Sequence, residues 1–88
     1  MTSYTHGPKR LFSWDVTTSH GGRGGVTDDR GRAIAHVHDA LTEAEGGARG
    51  EVRRVGLSGT GLAQYVVLGG VAEAWRDELT GAIIWRDQ

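Results

Sequence analysis

Eighty-eight residues suffice for one small domain and are too few for a second core. Ten basic against eleven acidic side chains leave a net charge of −1, so no overall field draws the chain to nucleic acid or anionic lipid. Zero cysteines exclude disulfides, cysteine–zinc sites, iron–sulfur clusters and thiol catalysis, and no run of 18 apolar residues offers a membrane span. Met1 is followed by Thr-Ser-Tyr-Thr-His rather than a basic and then apolar leader, so the chain reads as soluble and cytoplasmic, with no membrane partner. A domain of this size buries only about 60 to 65% of the surface that its unfolded chain exposes, and self-association would add stability.

Residues 1–10 contain Gly7 and Pro8 with little apolar content and read as a flexible arm; residues 11–88 read as a single α+β domain. From Leu11 the pattern alternates, with Phe12, Trp14 and Val16 on one side and Ser13, Asp15 and Thr17 on the other, which is the period of a strand. Ser19 to Gly25 has too little side chain to pack and reads as a flexible connection. Thr27, Asp28 and Asp29 supply oxygen acceptors for the free N–H groups of a helix start. In the helix that follows, Ala33, Ile34, Val37, Ala40, Leu41 and Ala44 fall in an arc of about 120°, opposite Arg32, His36, Asp39 and Glu43. Gly46-Gly47 stops it.

Three further strands are predicted. Glu51 to Leu57 is the first, with Val55 and Leu57 on one face, Val52 on the other, and a bulge near Gly56 or a wetted face to reconcile them. Ser58-Gly59-Thr60-Gly61 reads as a hairpin loop, and Leu62 to Arg76 is the longest apolar run, bent or divided at Gly69-Gly70. Asp77 to Gly81 has Asp at the entry and Gly at the left-handed exit of a type I turn, and a four-residue loop would bring Glu73 opposite Arg86. Ala82 to Arg86 closes the sheet. The expected fold is one helix on a four-stranded, mainly antiparallel sheet in the order β-α-β-β-β, with the last three strands as neighbours and the first strand's partner open.

No catalytic, metal or cofactor site emerges. His36 and His38 are two apart, which is 200° on a helix, so they cannot share one ion. His36 reads as solvated, His38 as bordering the apolar stripe, and His20 has no partner defined by the sequence. Ser58 lacks the strand-to-helix elbow of a hydrolase serine. Gly56 to Gly61 lacks the Lys-Ser/Thr of a phosphate loop, and Gly21 to Gly25 precedes a helix whose start carries two carboxylates that repel phosphate. The expectation is a protein that is not an enzyme.

Two binding readings remain. Tyr65 and Val67 on one parity and Val66 and Leu68 on the other make the longest strand apolar on both faces, while one helix covers only one sheet face. A non-catalytic protein–protein interaction or regulatory module follows, with a homodimer as the first assembly to test and Trp14, Tyr65, Trp75 and Trp85 as the partner-binding aromatics. The alternative is a nucleic-acid-binding accessory protein using Arg49, Arg53 and Arg54. The string Gly24-Gly25-Val26-Thr27-Asp28-Asp29, the helix Ala33 to Leu41 and Gly47-Ala48-Arg49-Gly50 resemble small hypothetical proteins of Streptomyces and related actinobacteria, over residues 12–86. That resemblance implies a bacterial cytoplasmic origin and no catalytic residue, cofactor or partner.

Overall fold

The structure, a computed structural model, describes residues 10–57 and 65–88. Its elements are β1 (Leu11–Thr18), β2 (Gly21–Thr27), α1 (Arg30–Glu43), β3 (Arg49–Leu57), β4 (Tyr65–Arg76) and β5 (Ile83–Asp87). The fold is α+β, with one helix on a five-stranded antiparallel sheet in the order β2-β1-β3-β4-β5. The Ser58 to Gly61 loop and most of the N-terminal arm lie outside the described residues.

The expectation of four strands is corrected by β2, which occupies the glycine run that reads as a connection. These glycines are required by a close approach to β1. A Cβ on Gly24 would stand 2.6 Å from the Trp14 carbonyl oxygen, and one on Gly25 would stand 3.0 Å from the Trp14 indole nitrogen. The strand is held by its ladder rather than by side chains, so it carries no hydrophobic alternation to detect. With β2 at the edge, β1 is central and antiparallel to both β2 and β3, which answers where the first strand pairs. The last three strands are antiparallel neighbours as expected.

α1 begins as its sequence directs: Asp29 is the N-cap, and its Oδ1 accepts from the Arg32 N–H at 3.1 Å. Its last turn has no basic residue of its own. Arg76, at the end of β4, supplies the cation instead, with Nη1 donating to the carbonyls of Leu41 (3.2 Å), Thr42 (2.8 Å) and Ala44 (2.7 Å). The turn after β4 is also as expected. Asp77 Oδ2 accepts from the Leu79 and Thr80 N–H groups and the Thr80 hydroxyl, and Gly81 has φ +74°. The predicted pairing of Glu73 with Arg86 is in place, and the two side chains form an ion pair.

Register assigns the two faces. Phe12, Trp14 and Val16 are level with Arg54, Val52 and Gly50 of β3, and Val52 and Gly50 are level with Ala72 and Ala74 of β4, all on the helix-bearing face. α1 lays Ala33, Val37, Ala40 and Leu41 on them, and Val16, Val37, Leu41 and Val52 are the largest fully buried side chains. Gly50 is the seat of the helix, because a Cβ there would stand 2.5 Å from Val37 Cγ1. Trp14 and Trp85 pack at the margin of this core. Trp14 stacks on His36, with ring centroids 4.9 Å apart and planes at 13°. His36 is therefore exposed but not wholly solvated, as it reads from the sequence, and His38 is exposed rather than lodged at the core edge.

β4 remains one strand across Gly69-Gly70, with a register irregularity on each side of the pair: Val71 and Leu68 have no partner on β3. The irregularity expected near Gly56 thus lies mainly in the partner strand. Beyond Leu68 the sheet narrows, since β1 begins at Leu11 opposite Val55 and β5 reaches only as far as Ala72. Gly56-Leu57 and Tyr65 to Gly70 accordingly form the end of the β3–β4 pair, an arm that β5 does not flank; β1 runs beside it only as far as the Leu11–Val55 pair, so Gly56-Leu57 and Tyr65-Val66 are flanked on neither side.

Candidate functional site

Two regions of the surface bear on function, and β4 runs through both. The first is the arm. Leu57, Tyr65, Val66, Val67 and Leu68 are between 45 and 63% exposed. Alternation puts Leu57, Tyr65 and Val67 on the open face and Val66 on the helix-bearing side, so both faces of the ribbon are apolar and wet. The described arm from Val55 to Leu57 and from Tyr65 to Gly70 carries no charge.

The second region is the open face of the sheet, where the charges are paired with one another. Arg53 lies between two carboxylates, with Nη1 donating to Asp15 Oδ2 at 2.6 Å and Nη2 to Glu51. Arg86 pairs with Glu73, which also accepts from Gln88 Nε2 at 3.2 Å, and its guanidinium stands 5.9 Å from the Trp75 ring centroid. Trp75 is directly opposite Arg49 on β3 and Ile84 on β5. Arg49 has no ion pair among the described residues. Around Trp75 runs a shallow trough of ≈ 550 Å³, open to solvent and lined by Arg49, Glu73, Arg86, Asp77, Glu78 and Leu79 among others. Its charges nearly balance, and Arg76, Arg86 and Asp77 are already engaged within the fold.

The four aromatics expected to act together are divided. Trp14 and Trp85 serve the core margin on the helix-bearing face, Trp75 stands on the open face, and Tyr65 is in the arm. The three arginines are divided as well: Arg49 and Arg53 are on the open face, Arg53 held by its carboxylates, while Arg54 is level with Phe12 on the opposite face. Leu57 and Leu79 are apolar surface that single-strand reasoning passes over. Leu79 is 95% exposed at a turn tip, a position that hydrophobic alternation does not mark.

One polar cluster was not legible from spacing. The turn between β1 and β2 comes beside the helix C-terminus, and Glu45 meets both Ser19 Oγ (3.3 Å) and His20 Nε2 (3.2 Å). His20 does not reach the helix N-terminus. The carboxylate lies between the hydroxyl and the imidazole, whereas nucleophile activation needs the imidazole in the middle, and all three groups are exposed. Among the described residues no group of three metal-ligating side chains converges, and no helix is long and apolar enough to cross a membrane.

No family model, curated protein or solved structure matches this chain.

Proposed function

We propose that the chain is a non-catalytic protein-binding module that docks through the β3–β4 arm. The observation that carries this reading is the run Leu57, Tyr65, Val66, Val67 and Leu68, five large apolar side chains left wet on a ribbon with no core of its own. A two-stranded ribbon is marginal in water unless something packs on it. A contiguous apolar patch of this kind is a recurrent mark of a protein interface. The nucleic-acid alternative has less support, since Arg53 is neutralised by Asp15 and Glu51 and Arg54 points to the other face.

The test is a paired substitution, Val67→Ser with Leu68→Ser. Both side chains bury little, so the melting temperature should change by no more than about 2 °C while binding of an apolar dye such as ANS falls sharply. Unfolding of that variant would place the arm within the core and overturn the reading.

A further inference from the structure

We infer that the occupant of the arm is a second copy of this chain, the two arms pairing about a two-fold axis; this rests on the docking reading above. Three observations point to self-pairing. First, where two copies meet about a two-fold axis, residues near the axis meet their own kind, so any charge there faces a like charge. The arm has none between Val55 and Leu57 or between Tyr65 and Gly70, although Arg53 and Arg54 immediately precede it and Glu73 follows shortly after. Second, β4 offers an open backbone edge along the arm. β5 ends at the Asp87–Ala72 pair, and beyond it, among the described residues, the Gln88 N–H donates to the Val71 carbonyl and the Gln88 side chain lies over Gly70. Among the described residues the segment Tyr65 to Gly69 is thus unflanked on that side, and an antiparallel strand of the same sequence fits it, joining two five-stranded sheets. Third, Tyr65, Val66, Val67 and Leu68 stand exposed along that edge on both faces, so strand pairing sets each apolar row beside its own copy and shields part of it from water.

Pairing through one short strand implies a weak, reversible dimer. The test is sedimentation of the full chain over a concentration series, beside Val67→Asp in the arm and Leu79→Asp at the far turn. The wild type should pass from monomer to dimer. Val67→Asp should raise the dissociation constant at least tenfold with an unchanged far-ultraviolet circular dichroism spectrum, and Leu79→Asp should leave it as it was. A wild type that remains monomeric at high micromolar concentration overturns self-pairing, as does growth beyond the dimer or equal weakening by Leu79→Asp. ANS binding to such a monomer separates the two readings. Dye bound in the wild type and lost in Val67→Asp leaves the docking role standing for another protein, and no dye bound ends both.

Discussion

Arg76 closes the helix from outside it, with one nitrogen serving three terminal carbonyls while its own N–H donates to Ala48 and its carbonyl accepts from Gly47. Charged donors to terminal carbonyls are worth more than neutral ones, and although the Leu41 carbonyl also accepts from the Ala44 N–H, Arg76→Ala should cost about 2 kcal/mol in a urea titration, with Arg76→Lys recovering part. At the next residue the effect depends on pH. Hydrogen bonds from the Thr80 backbone and its hydroxyl hold the Asp77 carboxyl below its ordinary value of 3.8, with an opposing desolvation and a lesser contribution from the Leu79 backbone. A carboxyl with a lowered folded-state pKa stabilises the protein fully above the unfolded value and loses that contribution as pH falls through the folded one. Thermal melts between neutral pH and pH 2 should therefore show an acid-side loss that Asp77→Asn lacks. The Asp-to-Gly spacing of this turn was readable because local hydrogen bonds alone define it. The role of Arg76 was not, since its acceptors lie more than thirty residues away.

Among the elements, α1 is the most legible, and its apolar stripe matches the buried set of Ala33, Val37, Ala40 and Leu41. What the stripe rests on is less so, because the seat is a glycine. Gly50→Ala drives a methyl into Val37 and Val16 and should cost about 2 kcal/mol, comparable to other overpacked cores. Leu41→Ala, which removes the largest fully buried side chain, should cost about 3 kcal/mol. Both are measured by equilibrium denaturation, and a smaller loss for either would mean that the helix rides more loosely on the sheet. β2 was hidden for a physical reason: a strand selected for narrow contact with its neighbour has no alternating side chains, and its glycines look the same as those of a linker. The two irregularities in β4 were hinted at by Gly69-Gly70 but are located by register.

At the scale of the whole molecule, the open face of the sheet largely neutralises its own charges, while the apolar arm is left exposed. Asp15, Glu51 and Arg53 satisfy one another, and so do Glu73 and Arg86, leaving Arg49 as the open-face arginine without an ion pair among the described residues. Titration with single-stranded DNA should consequently show no saturable binding at physiological salt, since the one unpaired cation of the open face releases too few counterions. Saturable binding with a steep salt dependence would instead favour the nucleic-acid reading. Apolar residues on both parities of β4 were visible in the sequence, but their location past the end of the helix was not, because alternation does not reveal where a neighbouring strand stops.

The three indoles also give the molecule a built-in optical readout. Two look toward the helix and one looks outward beneath the Arg86 guanidinium, so emission from Trp75 should be selectively quenched by a soluble ion such as iodide. Replacing Trp75 with Phe would leave a spectrum from Trp14 and Trp85, which pack at the margin of the core and report on the seating of the helix. Folding and events at the outer surface could then be followed separately, without any added label.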